Sequence, residues 1–280
     1  MSLLFGPGGI PLSAKRDKPE EGVREVARLG LDCMELEFVY GVRMTGKAAE
    51  LVKDAQLETG VRLTAHGPYY INLASLEKDK LAASRERVLD TARRCFQCGG
   101  ESITFHAAFF QGRGREQVLE IVAEQFQTII AALAGEKVRI EVRPELSGKP
   151  SQVGSLEDLV WIGKRVKGVL PAIDFAHFYA RDAGRYNKYE DFCGALEQLA
   201  RAFGKGILKN MHIHVSGIEY TAKGERRHRN LEDSEFNWKD CVRAFADYEL
   251  EGFVICESPS LEKDALRLKE AYQKFAGRKK

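Results

Sequence analysis

Histidines and carboxylates fall at matching places along this chain, each at the end of a short apolar run. The most informative stretch is Pro171-Ala172-Ile173-Asp174-Phe175-Ala176-His177, where an apolar run ends in a carboxylate and an imidazole follows three residues later. Along one strand these two side chains would face opposite ways, so both address one site only if the strand stops at Asp174 and the backbone turns into a loop. A strand end that offers Asp and His together is a natural pair of metal ligands. The same arrangement recurs at His66, at His106, at Glu141, at His212 with His214, and at Glu257. A lone His is more often a polar core or capping residue, so the inference rests on the joint pattern. If about 30 positions lie at or just beyond strand ends, six histidines placed at random would put fewer than one there on average. Here five do so, and the sixth, His228, lies in the loop after the seventh run. One zinc takes about four ligands and a carboxylate can bridge two ions, so this many donors points to several clustered divalent ions.

The elements that must position these residues follow from periodicity. Strand-like runs are expected at Leu3 to Pro7, Cys33 to Val39, Val61 to Ala65, Glu101 to Phe105, Lys137 to Glu141, Pro171 to Asp174, Ile207 to His214 and Gly252 to Glu257. Between them come helical patterns at Pro19 to Leu29, Ala48 to Glu58, Lys80 to Phe96, Gln117 to Leu133, Leu156 to Val166, Tyr189 to Phe203, Trp238 to Tyr248 and Lys263 to Phe275, most of them stopped by glycine. The segment Ser216 to Asp233 reads as a long loop carrying Lys223, Arg226, Arg227, His228 and Arg229. Eight strand-then-helix units without a linker argue for one α/β domain, a (β/α)8 TIM barrel over 1–280. Right-handed crossovers make the strands parallel, so their C-terminal ends share one rim. A doubly wound open sheet is the alternative, but it gives no reason for ligand-type residues at nearly every strand end.

The composition excludes some functions. The chain has 280 residues, 44% of them hydrophobic and 30% charged, and 43 basic against 41 acidic residues leave a net charge of +2. That balance gives no general pull towards polyanions, so any nucleic-acid binding needs a local basic patch. No apolar stretch near 18 residues and no charged-then-apolar leader stand out, which predicts no membrane insertion and a cytoplasmic location. The six cysteines, Cys33, Cys95, Cys98, Cys193, Cys241 and Cys256, are expected to be reduced in a chain large enough to bury its own core.

With these residues in view, the chain resembles the endonuclease IV family of abasic-site endonucleases, within the xylose-isomerase-like TIM barrels. The resemblance runs over nearly the whole chain. It is carried by His66-Gly67-Pro68-Tyr69-Tyr70-Ile71-Asn72-Leu73, Phe105-His106, Ile140-Glu141, Ile173-Asp174-Phe175-Ala176-His177, Met211-His212, Arg227-His228 and Cys256-Glu257. It implies three zinc ions at the rim. The first would use His66, His106 and Glu141, the second Glu141 as bridge with Asp174, His212 and Glu257, and the third His177 and His228. The family has an Asp two residues before the last His, where this chain has Arg226 with Glu225 one residue further back. Two zinc sites are therefore complete and the third is left open, to be filled through Glu225 or His214; other divalent ions such as manganese would suit the same donors.

The implied reaction is hydrolysis of the phosphodiester 5′ to an abasic site in double-stranded DNA, as in base excision repair, by a zinc-dependent endodeoxyribonuclease acting as a monomer. Metal lowers the pKa of water towards neutrality and supplies hydroxide for in-line attack. Glu141, Tyr69 and Arg226 are the expected catalytic residues, Arg226 by holding phosphate oxygens in place of a lost metal ligand. Arg113, Arg115, Arg143, Arg181, Arg185, Lys188 and Lys223 could hold phosphates around the mouth. A rival reading is a sugar isomerase or epimerase holding one metal through Glu141, Asp174, His212 and Glu257. His66 and His106 discriminate, because only a polynuclear site needs them as ligands. A third reading is a DNA-binding relative that has lost catalysis.

Overall fold

The computed structural model describes residues 2–277; residue 1 and residues 278–280 of the expected 1–280 domain lie outside the described residues. Eight barrel strands are present, at Leu3–Pro7, Cys33–Glu37, Arg62–His66, Ser102–Phe105, Glu141–Pro144, Ile173–Asp174, Met211–Val215 and Gly252–Cys256. The second to fifth pair in chain order and in parallel, and the sixth pairs with the seventh, the seventh with the eighth and the eighth with the first. Parallel bridges close the two seams, Gly8 to Glu35 on one side and Val142 to Val169 with Glu145 to Ala172 on the other. The ring is closed, which makes the architecture a TIM barrel with all strand C-termini on one rim.

The outer helices dock through stripes at helical spacing. Lys78–Gln97 buries Val88, Leu89, Ala92 and Cys95, and Arg115–Gly135 buries Val118, Leu119, Val122, Phe126, Ile129 and Leu133. The second of these is by length and composition apolar enough to cross a membrane, so the expectation that no such stretch exists is corrected; its buried stripe packs into the protein core. The six cysteines are free thiols.

Two departures from the sequence reading bear on the site. The fifth strand was expected at Lys137 to Glu141 but begins at Glu141. The preceding helix explains the shift. It ends in a Schellman motif, with Lys137 in the left-handed region (φ 59°), its N–H on the Ala134 carbonyl, and the Val138 N–H on Leu133. That cap consumes the residues whose apolar character suggested a strand, and the ladder starts only when Glu141 comes level with Ser102. The second departure is the segment Ser216 to Asp233. It forms an antiparallel hairpin, Gly217–Thr221 with Gly224–Arg229, shifted by a bulge between Glu219 and Tyr220.

Candidate metal centre

The rim gathers its polar side chains from six strand ends and the hairpin. His66 closes the third strand, and Glu145 follows the fifth. Asp174 ends the sixth strand and caps the helix Phe175–Arg181, its Oδ1 accepting the His177 N–H at 2.7 Å. That helical turn brings Asp174 and His177 to the same side. His214 stands near the end of the seventh strand, and Glu257 directly follows the eighth. The hairpin returns Glu225 and His228 over them, pinned by Glu225 N–H to the Gly148 carbonyl at 2.9 Å. Only glycine fits at 148, because a Cβ there would lie 2.6 Å from that of Glu225 and 2.9 Å from the His177 ring.

Four donor groups result among the described residues, each with ligand atoms within 4.8 Å of one another; one, Glu35 with His212 and His214, lies deeper in the barrel, and three lie at the rim. The first is His66, His106 and Glu145, with His66 Nε2 3.0 Å and His106 Nδ1 3.7 Å from Glu145 Oε2. The second is Glu145, Asp174, His214 and Glu257, where His214 Nδ1 lies 3.4 Å from Glu145 Oε1 and 3.3 Å from Glu257 Oε2. The third is Asp174, His177 and His228. There the Nε2 atoms of His177 and His228 face each other at 3.2 Å, with Glu225 Oε2 3.4 Å from His177 Nε2. Glu145 belongs to the first two groups and Asp174 to the last two. A cleft of about 480 Å³ opens above, with Tyr69, Phe109 and Lys149 among its walls.

Two observations show that the set fits divalent cations. First, Glu145 Oε1, Asp174 Oδ2, Glu257 Oε2, His106 Nδ1 and His214 Nδ1 are buried without a hydrogen-bond partner. Orphaned polar atoms in a folded interior are costly, and here they converge. Second, the Nδ1 atoms of His66, His177 and His228 face the carbonyls of Gly67 (2.7 Å), Leu146 (3.0 Å) and Glu257 (3.3 Å). A carbonyl can only accept, so each Nδ1 must carry the proton and each Nε2 is left to bind a metal.

Electrostatics agree. Burial alone would raise the Glu145 carboxyl, but the charges of His106 and His214 and the close approach of His177 hold it well below the usual range. Burial lowers His66, yet its hydrogen bond and charge contact with Glu145 win and raise it to about 10. His106, buried with weaker compensation from Glu145, falls to about 4. Asp174 rises to about 6 by burial, against the pull of His177. The shifted groups are those where a bound cation would compete with protons.

Of the residues expected from sequence, His66, His106, Asp174, His177, His228 and Glu257 come together here. Three do not join them as expected. Glu141 lies at the opposite end of the barrel, half-exposed, bound to the buried Arg143 (Nε to Oε2, 3.0 Å) and Asn210 (Nδ2 to Oε1, 2.7 Å); Glu145, four residues on, takes the bridging place. Arg143 therefore supports the floor of the barrel rather than the mouth. His212 sits one layer below the rim with both nitrogens occupied, Nε2 by Glu35 at 3.0 Å and Nδ1 by Ser102 Oγ at 2.9 Å; its place among the rim donors is taken by His214. Arg226 is exposed and paired with Glu219 at 2.6 Å, because the bulge makes it the extra residue and turns it away from the cleft. Arg181 spends its guanidinium on the carbonyls of Ser147, Lys149 and Gln152. Only the strand register ranks Glu145 above Glu141; Glu35, by contrast, is marked in the sequence by the alternation of Glu35 and Glu37 with Met34, Leu36 and Phe38, which puts the acids on the face opposite the apolar residues.

A model described as a xylose-isomerase-like TIM barrel matches residues 23–275. The chain belongs to that family. It is a family of metal-dependent enzymes, and the clusters described above are of a kind that could bind metal. Among its relatives, an uncharacterized protein of Methanocaldococcus jannaschii is 38% identical over 273 residues, 98% of each chain. A probable endonuclease 4 of Shouchella clausii is 25% identical over 246 residues, 82% of this chain and 80% of the relative. Solved structures with the same fold include a D-tagatose 3-epimerase-like protein (TM-score 0.76, 16% identity, 100% of this chain and 99% of that one) and endonuclease IV from Thermus thermophilus (TM-score 0.74, 19% identity, 98% and 99%). At such identities the likeness to these structures shows the fold alone.

Proposed function

We propose that the protein is a divalent-metal phosphodiesterase, zinc being the first candidate, that cuts double-stranded DNA at abasic sites. The observation that carries this reading is the third donor group, in which the hairpin brings His228 and Glu225 to His177. A single-metal enzyme would be served by Glu145, Asp174, His214 and Glu257, leaving His66, His106, His177 and His228 without a task. Three linked groups suit in-line displacement at phosphorus, in which both the attacking and the leaving oxygen need stabilisation. Bound divalent ions would supply activation of water and that charge stabilisation.

The chain's own residues would do the rest. Glu145 and Asp174, each shared between two groups, would set the spacing of the ions. Lys149 at the cleft wall would meet a phosphate. Burial and the nearby Glu37 raise the Tyr69 phenol, so it stays protonated and can donate to an anionic oxygen. Phe109 closes one wall with an apolar face, and an abasic nucleotide enters such a cleft easily because no base has to be unstacked.

The four-ligand group also keeps a second reading in play, a one-metal sugar epimerase using Glu145, Asp174, His214 and Glu257. Elemental analysis of protein purified without chelator, with assays on abasic duplex, intact duplex and a ketohexose, separates the two. Cleavage of the abasic duplex by protein holding two or three ions per chain supports the phosphodiesterase. One ion per chain with epimerisation and no cutting overturns it.

A further inference from the structure

Beneath the rim the barrel interior is polar where branched aliphatic side chains usually fill such barrels. Glu35, Thr64, Ser102 and His212, from the second, third, fourth and seventh strands, are fully buried and form one chain of contacts. Ser102 Oγ meets His212 Nδ1 at 2.9 Å, and His212 Nε2 meets Glu35 Oε2 at 3.0 Å. Thr64 Oγ1 donates to the same Oε2 at 2.7 Å. The other oxygen, Oε1, lies 3.0 Å from His214 Nε2, in a charge contact without hydrogen-bond alignment. Burying a carboxylate with one oxygen doubly bonded and the other aimed at a single imidazole is expensive unless that imidazole needs it.

We infer that Glu35 is a positioning residue for the metal centre. Held by Thr64 and by the His212–Ser102 pair, it fixes His214 with Nε2 inward and so presents Nδ1 to Glu145 and Glu257. His66 and His228 have their Nδ1 atoms set by neutral backbone carbonyls, and His177 Nδ1 faces the Leu146 carbonyl together with the rim carboxylates Glu145 and Asp174, both at 3.2 Å. His214 is set by a full negative charge, which strengthens its ring as a donor. The barrel interior thereby tunes one ligand of the four-ligand group apart from the others. The inference rests on reading the rim as a metal centre but not on the identity of the substrate.

The test is Glu35→Gln, which keeps volume and removes charge, with Thr64→Val as a milder second variant that loosens the carboxylate without touching His214. Zinc affinity is read by competition with a chromophoric chelator, cobalt(II) ligation by its visible absorption, and thermal unfolding on metal-free protein. Loss of outer ligand support costs about 10- to 100-fold in metal affinity, so Glu35→Gln should release one ion that much more readily and shift the cobalt spectrum. Thr64→Val should do the same more weakly, and its metal-free unfolding should stay close to wild type. If Glu35→Gln does not fold, the affinity loss and spectral shift in Thr64→Val carry the test. Wild-type zinc affinity and an unchanged cobalt spectrum in either folded variant would overturn the inference. A wild-type protein that binds neither zinc nor cobalt would instead refute the metal centre itself.

Discussion

Glu145→Gln should strip the rim of metal while the barrel stays folded. The carboxylate is buried and touches His66 at 3.0 Å, His177 at 3.2 Å, His214 at 3.4 Å and His106 at 3.7 Å. Removing one unit of charge about 4 Å from a divalent ion is worth about 8 kcal/mol at an effective dielectric constant of about 20. The amide oxygen still coordinates, and a neutral group is less costly to bury, which together return several kcal/mol. A net loss of about 3–4 kcal/mol remains, or a roughly hundred- to thousandfold weaker site. Chelator competition and elemental analysis after dialysis measure it. The matched control is Glu141→Gln. Glu141 lies four residues earlier on the same strand, roughly 13 Å away, and its removal should leave metal affinity within about twofold. It should lower thermal stability instead, by about 1–3 kcal/mol, because the buried Arg143 guanidinium loses its charged partner. If Glu141→Gln lost metal and Glu145→Gln kept it, the bridging assignment and the register behind it would be wrong.

Glu225→Gln should lower the number of ions by one while leaving the other two sites filled, as read by elemental analysis; an unchanged count would show that Glu225, 3.4 Å from His177 Nε2, does not help hold an ion at the third group. Arg226→Ala should change turnover on abasic DNA by less than about twofold, since its guanidinium pairs with Glu219 outside the cleft; a tenfold loss would mean that the hairpin rearranges on binding substrate. Metal affinity should rise with pH. His66, raised to about 10, holds a proton at neutral pH in metal-free protein, and a cation taking its Nε2 must expel it. Chelator competition at pH 6 and pH 8 should show tighter binding at the higher value, and a pH-independent constant would contradict this. The same raised pKa implies that metal-free protein has this stabilisation in full below the ordinary His value near 6.5 and loses it as pH climbs towards about 10. Thermal unfolding of metal-free protein across that window checks the sign, and a melting temperature that rose with pH there would refute it.

Much of the centre was determined by the sequence alone. Eight alternating units were enough for the barrel, and of the donor residues at their ends His66, His106, Asp174, His177, His228 and Glu257 come together at its rim in groups that could hold metal. Those positions were legible because an apolar run ending in His, Asp or Glu marks both a strand end and a donor. The tertiary structure alone decided between Glu141 and Glu145, and between His212 and His214. Both pairs are separated by an even number of residues, so strand alternation sends each pair to one face and cannot rank them. What ranks them is height along the barrel axis. That height is set by pairing across strands, Glu141 level with Ser102, and His214 level with Asp174. The cap at Lys137 and the bulge beside Glu219 then decide which residue of a charged run reaches the cleft and which meets solvent. Local sequence carries the period of a strand, but its register belongs to the neighbours it pairs with.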